Sequence, residues 1–252
     1  MRPMRRFLLI AAAALLAACH HGPRVVPAPD TVAELAKARA QFRGGKFGGA
    51  LVSFRRLTIE LGPGQPEVAD VRYHLAECYF QTGDHVQAAH EFRQVADQYA
   101  TSEYAPLALL RAGDANLRLW RKPELDPSYG ETALAIYQEL AGRYPGTDAA
   151  ARAQVHVQQL REQFSRKDYM NGMFYFRRRA YDSAIIYFKD VIATYPGTSS
   201  VPDALMRLVD SYRVIGYGDE LKETCGHLRR YFPQTEGLGK SCPADSSTAA
   251  PS

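Results

Sequence analysis

Leu75-Ala76-Glu77-Cys78-Tyr79 is followed at Gly83 by a break, and then by Ala88-Ala89-His90-Glu91-Phe92. The stretch reads as two helices joined by a tight turn. Ala76 is small enough to let two helices approach, and Tyr79 fills the groove beside it. Gly83 ends the first helix, where a residue without a Cβ is favoured. Ala88 then gives the second helix a close crossing point, and Phe92 packs one turn further along. The arrangement recurs in both directions. Leu208-Val209-x2-Tyr212 with Gly216 repeats the first helix, as does Asn171-Gly172-x2-Tyr175, and Gly45 takes the turn position in the first copy. The second helix recurs with one spacing as Ala133, Tyr137 and Pro145, as Ala184, Phe188 and Pro196, and as Leu221, Cys225 and Pro233. Ala88, Phe92 and Ala100 keep the offsets without the proline, and so do Ala50, Phe54 and Gly62.

Five copies with this one spacing, set against the Leu-Gly-x2-Tyr, Ala-x3-Phe and Pro of the tetratricopeptide pattern, match it, with links longer than its 34-residue minimum. No strand alternation competes. The expected fold is all-α, a tetratricopeptide-repeat superhelix of about five helical hairpins. The repeats are placed near 31–64, 69–102, 106–147, 165–198 and 202–235, within a domain spanning 31–236. Arg121–Ser128 is an insert inside the third hairpin. From about Asp148 to Arg179 the chain has no proline and only Gly172, which predicts a long helix linking repeats three and four. From Lys240 the composition turns to Ser, Ala, Pro and Asp, and 237–252 reads as a disordered tail.

The start of the chain sets the compartment. Arg2, Arg5 and Arg6 precede an apolar run from Phe7 to Ala18, the n-region and h-region of a secretory signal at 1–18. Twelve apolar residues cover about 18 Å, too short for a bilayer core of about 30 Å. Leu16-Ala17-Ala18-Cys19 resembles the lipobox of bacterial lipoproteins. That resemblance makes Cys19 an N-acylated, S-diacylglycerol cysteine, and two or more acyl chains hold a protein stably on a membrane. His20 replaces the Asp that resembles an inner-membrane retention signal, so outer-membrane delivery is expected. Pro23, Pro27 and Pro29 make 19–30 an extended tether.

Catalytic motifs are missing: there is no Gly-x-Ser-x-Gly, His-Glu-x-x-His or Walker loop. Gly62-Pro63-Gly64-Gln65-Pro66 is glycine-rich, but its prolines remove amide donors a phosphate would need, so it reads as an inter-repeat turn. His74, His85 and His90 lack the spacing of four used by helical metal pairs and read as surface residues. The chain is therefore expected to be no enzyme, to hold no metal, and to need no cofactor beyond the lipid on Cys19. Once Cys19 is lipidated, Cys78, Cys225 and Cys242 leave an odd thiol. Cys225, in the place of the repeat aromatic, reads as buried packing, with a Cys225–Cys242 bridge as the other option. Trp120 reads as packing for the insert, with a partner anchor as the alternative. On the first helices of repeats one and two, Arg39, Arg43, Tyr73, Glu77 and Phe80 point outward. Guanidinium groups beside aromatic rings suit an extended peptide carrying an aromatic side chain and a carboxylate. A solvated charged face is the alternative for Arg39 and Arg43. Arg177-Arg178-Arg179 ends the long helix, where the arginines complement the helix dipole or dock an acidic partner.

The whole chain has 31 Lys and Arg against 27 Asp and Glu, a net charge of +4 and a pI near 8.8. Three of those arginines leave with the signal, which brings the balance to +1 and removes any general attraction to nucleic acid.

The order of lipobox, insert, Asp126-Pro127, long helix and Tyr175-x-Arg177-Arg178-x-Ala180-Tyr181 resembles the BamD family. So do the repeat endings Arg143-Tyr144-Pro145-Gly146-Thr147 and Thr194-Tyr195-Pro196-Gly197-Thr198. BamD is the lipoprotein subunit of the β-barrel assembly machine of Gram-negative outer membranes. The resemblance implies a lipid-anchored protein on the periplasmic face of the outer membrane. It implies that the N-terminal repeats capture the C-terminal β-signal of unfolded outer-membrane β-barrel proteins, at residues such as Arg39, Arg43, Tyr73 and Phe80. It implies that the C-terminal repeats, with Arg177 and Arg178, hold the membrane-proximal POTRA domain of BamA among the other subunits. The short insert and Cys225 depart from the family pattern. The rival reading is another periplasmic tetratricopeptide adaptor lipoprotein, one that coordinates the envelope with peptidoglycan synthesis.

Overall fold

The computed structural model describes residues 29–121 and 126–242; the signal run, Cys19 and the histidines beside it lie outside them. The described residues form eleven helices and no strand. The chain divides into two compact units, one ending at Leu119 and the other starting at Trp120.

In the N-terminal unit α1 (Pro29–Arg43) pairs with α2 (Phe47–Glu60), and α3 (Glu67–Gln81) pairs with α4 (His85–Gln98). Helix α5 (Tyr104–Leu119) packs on α4, and the first helices α1, α3 and α5 touch in succession. The core gathers Ala50, Phe54, Leu57, Val71 and Cys78, all fully buried. Helix α1 begins at Pro29, inside the segment read as tether. Proline has no amide hydrogen to leave unsatisfied in a first turn, and Asp30 there faces the positive end of the helix dipole.

The C-terminal unit continues with α6 (Ser128–Arg143), α7 (Asp148–Arg177), α8 (Tyr181–Thr194), α9 (Ser200–Ile215), α10 (Gly218–Tyr231) and the short α11 (Leu238–Ser241). Along α6 to α10 each helix packs on the one after it in the chain, and the short α11 lies against α9 rather than α10. Helices α5 and α6, read from the sequence as hairpin three, thus belong to different units. Helix α7 spans 30 residues, close to the limits read from the sequence.

The turn inside each hairpin is the same object four times. A backbone amide donates to the carbonyl five residues earlier: Lys46 to Gln41, Asp84 to Tyr79, Ala180 to Tyr175 and Tyr217 to Tyr212, at 2.9–3.1 Å. The residue before each donor is left-handed: Gly45, Gly83, Arg179 and Gly216, with φ of 71°, 87°, 62° and 82°. Three are glycine, which takes this conformation without steric cost, and Arg179 is the exception. Between repeats, Gly146 and Gly197 supply the positive φ of a Pro-Gly turn, while the Thr147 and Thr198 hydroxyls each donate to the tyrosine carbonyl three residues back at 2.8 Å.

Small residues sit where helices cross. Ala50, Ala88, Ala133 and Ala184 are fully buried, and so are the aromatics four residues on, Phe54, Phe92, Tyr137 and Phe188. At Gly172 a Cβ would lie 2.6 Å from the Phe188 ring, so α7 and α8 meet there at the backbone of α7.

Trp120 meets the far end of the third-repeat insert, of which 122–125 lie outside the described residues. Its Nε1 donates to the Asp126 carbonyl at 2.8 Å, and its ring lies so close to Gly130 that a Cβ there would be 2.7 Å away. Of the stretch 237–252, read from composition as disordered, residues 238–241 instead form α11, and 243–252 lie outside the described residues. Leu238 and Cys242 are buried, and Cys242 is disulfide-bonded to Cys225 with a Cα–Cα distance of 5.5 Å. Arg229 donates to the Cys242 carbonyl at 2.9 Å, and Arg213 to the Ser241 carbonyl. A bridge is invisible to composition, which registers only the Ser, Pro and Gly around it.

Candidate peptide-binding site

Three first helices build one pocket in the N-terminal unit. Helix α1 contributes Arg39, Phe42 and Arg43, which share a face at spacings of three and four. Helix α3 contributes Asp70 and His74, again four apart, and α5 contributes Tyr104 from its first residue. Together they line a pocket of about 380 Å³.

Asp70 is its hub. The carboxylate is 8% exposed and accepts hydrogen bonds from Arg39 Nε at 3.1 Å and from the Tyr104 hydroxyl at 2.9 Å, with His74 Nδ1 at 2.7 Å. Burial alone would push this carboxyl up. The hydrogen bonds from His74 and Arg39, with the charge on His74, outweigh burial and hold it well below the usual carboxylate range. His74 shows the counterpart. Burial disfavours its imidazolium, but hydrogen bonds to the Asp70 carboxylate and carbonyl prevail and raise its pKa. The Tyr104 hydroxyl is pushed up to about 12, first by burial and then by Asp70, so it stays a donor.

Aromatic rings wall the imidazole. Phe42 meets it edge-on at 5.0 Å, Phe54 stacks at 5.6 Å, and Tyr73 and Tyr104 lie at 5.6 and 6.1 Å. His74 is therefore half-buried in an aromatic box, where the sequence placed it on the surface; His90 is exposed. Metal-pair spacing is a local test, whereas the burial of His74 comes from helices about one repeat away in either direction.

The residues singled out from the sequence divide into two groups. Arg39 and Arg43 share the pocket, but Arg39 is bound to Asp70. Arg43 is exposed and makes no ion pair among the described residues. Tyr73, Glu77 and Phe80 instead gather around Arg111 of α5, which the sequence reading did not pick out. The Arg111 guanidinium donates to Glu77 Oε2 at 2.9 Å and to Asp114 at 2.9 Å, and lies over the Phe80 ring at 3.9 Å. Tyr73 donates to Glu77 at 3.2 Å. Phe80 is thus covered by a cation and sits outside the pocket. Asp70 and Glu77 find their partners 31 and 34 residues away, the length of a repeat, and that offset is the signal that would have found Tyr104 and Arg111.

In the C-terminal unit Arg177 and Arg178 are exposed at the end of α7, and the Arg178 guanidinium stacks 3.5 Å over Phe174. No group of His, Cys, Asp and Glu able to hold a metal occurs among the described residues. No helix among them is long and apolar enough to cross a membrane.

Residues 32–228 match the model of the YfiO family, described as outer membrane lipoprotein. The chain belongs to this family. It is 28% identical over 194 residues to an outer membrane protein assembly factor BamD of Caulobacter vibrioides, covering 77% of this chain and 51% of that one. A protein of the same name from Xylella fastidiosa strain 9a5c is 25% identical over 71% of this chain and 65% of its own, and one from Haemophilus influenzae is 20% identical over 86% of each. The chain spans about half the length of the Caulobacter relative. Among solved structures, the P58(IPK) TPR domain aligns over 84% of this chain and 54% of its own, at 14% identity and a TM-score of 0.45.

Proposed function

We propose that this family member is a non-catalytic outer membrane protein assembly factor, held on the periplasmic face of the outer membrane by lipid on Cys19. In this reading the N-terminal unit receives the C-terminal β-signal of unfolded β-barrel proteins, and Arg177 and Arg178 face the POTRA region of BamA. The observation that carries it is the pocket around His74. Arg39 offsets Asp70, which leaves Arg43, with His74 whenever it is protonated, as net positive charge beside Phe42 and Tyr104. A chain ending in an aromatic residue offers both complements, a ring for the box and a terminal carboxylate for Arg43. Charge-assisted hydrogen bonds of this kind contribute about 1.5–3 kcal/mol each.

The test is titration of a labelled peptide with a C-terminal phenylalanine, free or amidated, into the purified chain. The free peptide is expected to bind about tenfold tighter than the amide, a difference of about 1.4 kcal/mol, and Arg43→Glu to abolish that preference. Equal binding of the two peptides, or an Arg43→Glu chain that still prefers the free acid, sinks the assignment. Co-purification with BamA from detergent-solubilised outer membrane tests the partner half of the proposal.

A further inference from the structure

The C-terminal unit carries a pocket of its own, of about 390 Å³, that the reading above does not use. One turn after another of α7 lines it: Gln163, Arg166, Met170 and Asn171 recur at spacings that share a helix face, and Trp120 closes the opposite side over Phe164. The Trp120 and Phe164 rings are 5.3 Å apart. The indole is fixed from two directions. Its N–H is spent on the Asp126 carbonyl, and Gly130 presses so closely behind it that the ring has no room to retreat. What the wall presents is therefore apolar and rigid, while Met170, 49% exposed, supplies an adaptable thioether edge.

The polar groups narrow the ligand. Arg166 is exposed at the rim and makes no ion pair among the described residues, and the lining contains no carboxylate. Lys167 also lines the pocket but feels the carboxylates of Asp126 and Asp168, so Arg166 is the cation that meets a ligand carboxylate. Gln163 and Asn171 stand eight residues apart along α7, about 12 Å at 1.5 Å per residue. Each amide offers a donor and an acceptor, the pairing a peptide backbone needs and an acyl chain cannot use. The volume holds one large apolar side chain.

We infer that this pocket binds an extended peptide segment of a partner protein in which a large apolar side chain adjoins a carboxylate. The apolar side chain enters between Trp120 and Met170, the carboxylate meets Arg166, and the two amides take backbone groups on either side. The inference does not depend on the pocket around His74 or on the assembly reading.

Trp120 is the only tryptophan of the chain, so its emission reports occupancy directly. The intact chain is titrated with an acetylated, amidated tetrapeptide in which phenylalanine precedes glutamate. A saturable change in emission is expected, with affinity falling about tenfold when glutamate is replaced by glutamine, and by at least as much in Arg166→Glu. Arg166 is exposed, so that variant is expected to keep the parent thermal midpoint, and Arg43→Glu to leave the titration unchanged. Constant emission up to millimolar peptide overturns the proposal. So do equal affinities for the two peptides, a response lost in Arg43→Glu, or a response to phosphatidylglycerol vesicles in place of the peptide.

Discussion

Both units join neighbouring repeats through side chains about one repeat apart, but with different chemistry. The N-terminal unit uses ions: Arg39 with Asp70, and Arg111 with Glu77. The C-terminal unit uses hydroxyls and amides. Ser165 and Thr198 share a hydrogen bond of 2.7 Å, fully buried at Ser165, and Glu162 accepts from the Ser199 amide at 3.0 Å and its hydroxyl at 2.7 Å. Buried ion pairs contribute little net stability, because desolvation offsets their attraction. In the N-terminal unit the pairs, partly exposed at Arg39, fix where charge sits beside the aromatic rings of the pocket. Among the described residues the C-terminal unit has no such hub, and a covalent bridge ties Cys242 back to α10.

The largest expected effect separates the units by that bridge. Cys225→Ser opens a loop with a sequence separation of 17, which costs about 3 kcal/mol by chain entropy. Amide exchange followed by peptide mass analysis should show protection falling in α9 to α11 and unchanged in α1 to α5. Equal losses in both units would merge them and remove the contrast. A smaller effect of opposite sign is expected at Arg179, whose left-handed backbone is strained for any residue with a Cβ. Arg179→Gly should stabilise the C-terminal unit by about 1 kcal/mol in urea unfolding; a lowered midpoint would mean that the Arg179 side chain contributes more than the strain costs.

The smallest effect sharpens the contrast by pH. His74 has a raised folded pKa, so its contribution is complete below its unfolded value near 6.5 and is lost as pH rises through the folded one. Asp70 has a lowered folded pKa, so its contribution is present above about 4 and is lost as pH falls through the folded value. Protection of α1 to α5 should therefore weaken on going from pH 6 to pH 8, and His74→Gln should flatten that slope. The same slope in α9 to α11 would place its origin elsewhere.

The sequence carried the fold well because its determinants are local. The turn glycines, the small crossing residues and the aromatics four places on each act within one hairpin, and the limits of α7 follow from an absence of breakers between Thr147 and Arg178. The pocket was only half legible. Arg39 and Arg43 are visible as cations on one face, but which of them is neutralised depends on Asp70, 31 residues away. Phe80 looked available because nothing near it in sequence announces Arg111. Trp120, read from the sequence as packing for the insert, meets its Asp126 end, while the neighbours of its outer face, Met170 and Arg166, lie fifty and forty-six positions further on.

The pairing of Cys225 with Cys242 also bears on how the chain matures. A protein read as exported meets oxidising conditions while still unfolded, and Cys78 is then a competitor for either partner. In the folded N-terminal unit that thiol is buried and its pKa is pushed up to about 12, which leaves almost none of the thiolate that attacks a disulfide. Cys78 is built into the first half of the chain, and Cys225 and Cys242 are the last cysteines to arrive. If the early hairpins close first, the wrong exchange partner is already withdrawn, and the correct bridge forms without an isomerase to sort it.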